Sequence, residues 1–458
     1  MTEYGPRYRP KRTRTLAALA VTTMLALSGC AGAGSFTSGG GDTVTIAMVS
    51  NSQMQDAIAL SGEFERENPG TKLKFVSLSE NEARAKITAS VATGGGEFDV
   101  VMISNFETPQ WAANGWLVDL SEHARRTPGY DTEDFIPSLR KSLSYNGNMY
   151  SVPFYGESSF LMYRKDLFEQ AGLAMPADPT WEQVADFAAK LDDPADGRSG
   201  ICLRGKPGWG ESLAPLNTVI NTFGGRWFDE QWNAQLTSPE VVRAVQFYVD
   251  LVRAHGEPGA STSGFSECAT QLSQGNTAMW YDATSAVSVL EDPDSSKVVG
   301  KIGYVPAPVA QKPNSGWLYT WSLGIPTSSE KPDAAWKFIS WMTGKPYIHM
   351  VGERLGWSHV PPGSRLSTYE IPEYRETSKA YGERTLSAMA GADPEHPTVQ
   401  PVPYTGVQFL TIPEFQDLGT RVSQQISAAV AGRISVRDAL EQAQQYADTV
   451  GKSYRGKQ

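Results

Sequence analysis

Between Val44 and Ser104 the sequence alternates between two periodicities, and no other stretch restricts the fold as much. Val44 to Ser50 (VTIAMVS) is an apolar, β-branched run of the kind a strand buried on both faces requires. Helical spacing over Gln53–Glu67 follows and stops at Asn68-Pro69-Gly70. Lys72–Leu78 reads as a second strand, Glu80–Ala92 as a helix ended by three glycines, and Phe98–Ser104 (FDVVMIS) as a third strand. Strand, helix, strand, helix, strand is the pattern of a parallel sheet wound by crossover helices. Such sheets present their cleft loops at the carboxyl ends of the strands. That rule selects Asn51 after the first strand, Glu80 and Asn81 after the second, and Asn105 and Glu107 after the third.

Further along, Thr180-Trp181-Glu182-Gln183 is a capping box that opens a helix with Val184, Phe187, Ala188 and Leu191 on one face. Ser238-Pro239-Glu240 opens another, ended by Gly256. Strand-like runs recur at Lys301–Val305 and Thr320–Ile325. Val422, Ile426 and Val430 begin a helical C-terminus that continues after a Ser435 cap. At 458 residues without internal repeats, the chain reads as α/β: two doubly wound lobes with a helical C-terminal tail.

The N-terminus points to a compartment. Arg7, Arg9, Lys11, Arg12 and Arg14 precede a mostly apolar run from Thr15 to Leu27, too short to cross a bilayer as a helix. That is the layout of a secretory signal, expected at 1–29. Leu27-Ser28-Gly29-Cys30 resembles the bacterial lipobox, which implies lipidation of Cys30 and an extracytoplasmic body held at the cell membrane by its acyl chains. Residues 30–41 are then a lipid-anchored flexible tether rich in Gly, Ser and Ala. In an oxidising compartment the remaining two thiols, Cys202 and Cys268, either form a disulfide or stay as buried unpaired thiols.

Several chemistries are not indicated. Net charge is −10, the leader is the one basic segment, and no Lys/Arg stripe follows, so nucleic acid is not an expected partner. No GxSxG, Walker A or HExxH motif occurs. The five His are scattered at 123, 255, 349, 359 and 396, so neither a metal nor a cofactor is expected, and no catalytic residue is assigned. Tryptophan placement carries more information. Several of the twelve Trp stand beside Gly or close to Asp or Glu, in Gly208-Trp209-Gly210-Glu211, Trp280-Tyr281-Asp282, Gly316-Trp317 and Gly356-Trp357, and Trp321 follows Thr320 in a strand-like run. An indole that stacks on C–H faces, with nearby carboxylates, amides and Arg for hydroxyls, suits a polyhydroxylated ligand; packing within or between lobes is the alternative for each ring.

These residues sit in segments with a wider likeness: Phe64-Glu65 to Pro69-Gly70, Phe98 to Val101, Met149 to Pro153, Met162 to Phe168, and Pro332 to Phe338. With them the body resembles the bacterial ABC-transporter extracellular solute-binding family 1, the receptor subunits of carbohydrate importers. Within it, Pro153 to Ser159, Gly200 to Glu211, Asn221 to Asp229, Trp232 to Leu236 and Val305 to Val309 are most similar to sorbitol/mannitol-type polyol-binding proteins. The resemblance implies a non-enzymatic receptor that delivers a polyol or small sugar to a permease with a cytoplasmic ATPase, as a monomer. It also implies two discontinuous lobes joined by crossing strands, with the ligand between them. Crossings are expected near Tyr150–Pro153, Trp280–Ala283 and Ile325–Thr327, giving 42–152 plus 283–326 as one lobe and 153–282 plus 327–458 as the other. Its Glu-Glu-Asn-x-x-Arg-type segment falls on Ser79–Arg84, which favours Asn81, with Glu80 as a helix cap. Second-lobe candidates are Tyr155, Glu157, Arg204, Trp209, Glu211 and Asp282, with Trp317, Trp321 and Trp357 for stacking. Arg204 either donates to the ligand or pairs with Glu211. Competing expectations are a di- or oligosaccharide or glycerophosphodiester ligand, a carbohydrate-cleaving lipoprotein with two opposed carboxylates, and a purely structural surface lipoprotein.

Overall fold

The computed structural model describes residues 42–455; the expected signal segment, Cys30 and the tether lie outside the described residues. Strand β1 (Asp42–Val49) pairs in parallel with β2 (Thr71–Leu78) and β3 (Val100–Ser104), connected by helices α1 (Ser52–Glu67) and α2 (Glu80–Ala92). Val44, Ile46, Met48, Val100 and Val101 are buried, as a sheet covered on both faces demands. Asn51 caps α1 by accepting the Met54 N–H, which fixes the loop at the end of β1.

Two later strands complete this sheet. β4 (Ser151–Glu157) is its edge and β8 (Tyr319–Gly324) runs antiparallel between β3 and β4, in the order β2-β1-β3-β8-β4. Pro153 has no N–H for a ladder, and it lies beside a register shift where Trp321 faces Tyr155 but Ser322 faces Pro153. The bulge sets Tyr155 and Trp321 side by side at one end of the sheet. The second sheet holds β5 (Ser159–Arg164) between β6 (Met279–Ala283) and β7 (Ile302–Pro306), all antiparallel, with single parallel bridges from Ser199 and Cys202 to the β6 segment. In the second half, parallel pairing among the described residues is confined to single bridges such as these and Thr180–Val309.

The crossings differ from expectation. Residues 151–157 stay in the first sheet, and the chain passes to the second at Ser158, between β4 and β5, instead of at Tyr150–Pro153. Trp280–Ala283 is wholly second-sheet, as is β7, so 283–306 does not belong with 42–152; the return runs through 307–318. After β8 the chain does not leave at Ile325–Thr327. The helix Pro332–Met342 packs on α1 and β1, with Phe338 edge-on to Phe64 at 5.7 Å. Apolar runs of five or six residues announce a strand but not the partner that will bury it, and here the long-range pairing decided. The tail is helical as expected: Phe415–Val430 and Val436–Arg455 pack together against helix Pro239–His255.

Cys202 and Cys268 are joined by a disulfide, with Cα atoms 5.6 Å apart, between the edge of the second sheet and helix Phe265–Ser273. It closes a loop of 66 residues, so the double variant Cys202→Ser/Cys268→Ser is expected to lose about 2–4 kcal/mol of stability. Equilibrium urea unfolding of the two proteins measures this; equal midpoints would contradict it.

Candidate functional site

The carboxyl ends of β1 and β2, the bulge of β4 and β8, and loops of the second half enclose a cavity of about 430 Å³. Seven expected residues line it: Asn51, Glu80, Tyr155, Glu157, Arg204, Glu211 and Trp321. The Asn51 amide donates to the Tyr155 hydroxyl at 2.9 Å, so the Tyr155 O–H is free to donate elsewhere. Burial raises the Tyr155 hydroxyl well above its usual range, keeping it a neutral donor. Glu157, only 5% exposed, accepts from Ser285 Oγ at 2.6 Å. Burial pushes its carboxyl up to about 8, against the opposing pull of Ser285 and Arg204, so it carries a proton at neutral pH.

Arg204 is held from behind. Its Nε and Nη2 donate to Asp282 at 2.7 and 2.5 Å, and Nη1 donates to the Gly210 carbonyl at 3.0 Å. Glu211 stands 3.7 Å from Nη1 and 3.2 Å from Lys206 Nζ. Arg204 thus lines the cavity and stands within ion-pair distance of Glu211, while its hydrogen bonds go to Asp282 and the Gly210 carbonyl. Asp282 itself is fully buried, accepts from the Trp280 indole at 3.0 Å and the Ala283 N–H at 2.7 Å, and does not reach the cavity wall. It sits behind Arg204 because the alternation of β6 turns its side chain away from the opening; its part is to orient the guanidinium.

The other expected residues are also placed behind or beside the wall. Asn81 donates to the Pro207 carbonyl at 2.9 Å, tying α2 to the 207–210 loop of the second half. A Cβ on Gly210 would come within 2.5 Å of Glu80 Oε1, so the loop sits this close only because that residue is glycine. Trp209 packs between Phe106 and Phe409, each at 4.9 Å, with the Arg84 guanidinium 4.2 Å over its ring. Trp209 is therefore a contact between the halves. Glu107 accepts from Arg84 at 3.0 Å and from the Ser104 N–H and hydroxyl, and Asn105 accepts the Thr320 N–H at 2.9 Å beside a neighbouring cavity of about 210 Å³. Trp317 is fully buried, edge-on to Tyr281 at 6.0 Å, and Trp357 packs against His349; neither lines the cavity.

Sequence reasoning missed Arg84, Lys206, Tyr319, Ser285 and Gln408 as lining groups. Arg84 lies four residues after Glu80, a helical ion-pair spacing that was a usable signal. It donates to Glu80 at 2.8 and 3.0 Å and to the Tyr319 hydroxyl at 2.7 Å, and lies 4.7 Å from the Trp321 ring. Gln408 comes from a stretch without periodicity; its Oε1 is buried with no hydrogen-bond partner among the described residues. Each cation on the wall is matched by a carboxylate: Arg84 by Glu80 and Glu107, Arg204 by Asp282, Lys206 by Glu211. The wall therefore offers hydrogen-bond donors and acceptors without spare positive charge.

Residues 48–347 match the family model described as bacterial extracellular solute-binding protein. A mannitol-binding protein of Pseudomonas aeruginosa is 45% identical over 408 residues, covering 89% of this chain and 92% of that protein. A solute-binding protein of Agrobacterium vitis S4, solved with bound D-mannitol, is 45% identical with a TM-score of 0.88 over 90% of this chain and 99% of that one. A ribitol complex from Agrobacterium radiobacter K84 superposes with a TM-score of 0.78 at 26% identity over 90% and 99% of the two chains. Two sheets that face each other across a polar cavity, and a family match over most of the chain, lead to one conclusion: this chain belongs to the bacterial extracellular solute-binding protein family.

Proposed function

We propose that the protein is the extracytoplasmic receptor of an ABC importer, anchored through Cys30, that captures an acyclic polyol such as D-mannitol between its two lobes and delivers it unaltered to the permease. The observation that carries this is the chemistry of the cavity wall. A polyol hydroxyl both donates and accepts, and the wall alternates acceptors (Glu157, Glu211, Gln408 Oε1) with donors (Tyr155 O–H, the remaining Arg204 N–H groups) around a volume near the small end for ligand sites. The mannitol- and ribitol-binding relatives support the same ligand class. A glycerophosphodiester is disfavoured because no lining cation lacks its carboxylate. Residues from both lobes meet at the cavity, so binding energy is gained by closing them, which is how ligand occupancy becomes a shape the permease recognises.

Calorimetry and thermal shift on the tetherless body are expected to show D-mannitol binding. Saturation at about 100 to 1,000 times Kd should stabilise the fold by about 3–4 kcal/mol. No shift with any hexitol or pentitol would contradict the reading. Because Glu157 holds a proton at neutral pH, Glu157→Gln should keep most of the affinity. Glu157→Ala should lose about 10- to 100-fold by calorimetry, the cost of one buried hydrogen-bonding group. Equal losses for the two would contradict a neutral carboxyl.

The variant Asp282→Ala tests the place of Asp282 behind Arg204. With Asp282 holding Arg204 in the protein interior, removal strands a buried guanidinium, so a loss of stability of about 3–5 kcal/mol should accompany weaker binding. A variant that lost binding but kept its wild-type melting point would instead argue for direct ligand contact.

A further inference from the structure

Away from the cavity, the two lobes meet at a second polar contact centred on an imidazole. His359, on the short helix Trp357–His359, is held in the first lobe by Asp56 of α1, with Nδ1 3.0 Å from Oδ2. Its other ring nitrogen, Nε2, points across to the second lobe, 3.8 Å from Oδ1 of Asp292 in the loop after helix Val287–Leu290. Next to it, Gln53 donates to Ser288 Oγ at 3.0 Å and Ser52 shares a hydrogen bond with the same hydroxyl, so this is a true lobe-to-lobe contact. All three ionisable side chains are largely buried, at 14–19% exposure, which limits screening.

We propose that His359 is a pH-dependent latch: when protonated it bridges Asp56 of one lobe to Asp292 of the other and favours the closed receptor, and when neutral it releases that bridge. The proposal rests on the reading that ligand binding is coupled to lobe closure.

The surroundings leave these two carboxylates in control. From α1, Glu63 lies two turns further on and is paired with Arg66 and Arg354. In the 291–295 segment, Glu291 is engaged by the Tyr304 hydroxyl and the Gly300 N–H, and Asp292 also accepts from the Asp294 N–H and the Ser295 hydroxyl. Helix Lys345–Arg354 contributes Tyr347, a neutral phenol near Asp56, and His349, which packs on Trp357. From helix Pro372–Thr377 and its end, Glu376 pairs with Lys379. The His359 imidazolium is raised above its ordinary value, chiefly by the hydrogen bond to Asp56, with burial opposing and Asp292 adding to it.

The sign follows. Opening removes Asp292 but not Asp56, so the ring is more basic in the closed form. Closure is then favoured at acidic pH, and the benefit is lost as pH rises through the closed-state value. Apparent affinity scales with the fraction of closure-competent receptor, so ligand is held more tightly at low pH.

The test is calorimetry of D-mannitol from pH 5.5 to 8.5 on the full body, His359→Gln and Asp292→Asn. Other groups, Glu157 among them, titrate in this range, so the comparison is between proteins. Wild type should gain about three- to tenfold more affinity at pH 5.5 relative to pH 8.5 than either variant does. Asp292→Asn keeps the His359–Asp56 pair and the fold of the first lobe, so its profile should match that of His359→Gln. Profiles that superpose on wild type for either variant overturn the latch. Should D-mannitol fail to bind at every pH, the functional reading fails, and X-ray scattering of the unliganded proteins still decides the latch. Compaction at pH 5.5 in wild type but not in the variants supports it, and identical radii overturn it.

Discussion

Arg84 is the side chain on which the contact between the two lobes turns. Burial disfavours its charge, and Tyr319, Glu80 and Glu107 more than compensate, so the guanidinium stays ionised inside the protein. Its edges are spent on hydrogen bonds within the first lobe, which leaves its two faces for Trp321 of the same lobe and Trp209 of the other. A planar, delocalised cation can do both at once, and a lysine could not. The stack, with the Asn81–Pro207 hydrogen bond and the glycine at 210 that permits close approach, brings the 207–211 loop over the cavity.

Arg204 repeats the device on the opposite wall. Asp282 takes two of its donors and the Gly210 carbonyl a third, so the guanidinium is oriented by the protein's own groups. Two fixed cations, each neutralised from behind, give a wall that is polar but not positively charged. This is a sensible environment for a neutral ligand rich in hydroxyls, since nothing on the wall must be stripped of a counter-ion when the ligand enters. Preorganisation of this kind lowers the ordering cost of binding.

Local features were legible in the sequence and pairings were not. The β1-α1-β2-α2-β3 winding, the Thr180 capping box and the Ser238 cap follow from periodicity and side-chain oxygen chemistry within a few residues, and all appear as expected. The strand-end rule found Asn51, because a parallel strand fixes where its loop emerges. Whether an aromatic faces ligand or the other lobe depends on atoms outside its own local segment: Trp209 is claimed by Phe106, Phe409 and Arg84, and Trp317 by Tyr281. The lobe crossings were misplaced for the same reason, since β4 and β7 carry no local mark of the sheet they join. Asp282 was found as an important carboxylate, but the one-residue alternation of a strand put Arg204 between it and the cavity.

A crystal structure of the protein grown with D-mannitol examines the central claim most directly. The account predicts density for the polyol against Glu157, Tyr155 and Arg204, with Arg204 still bound to Asp282 and the Trp209 indole still on Arg84. A polyol stacked on Trp209 or Trp317, or one that draws Arg204 away from Asp282, would contradict it.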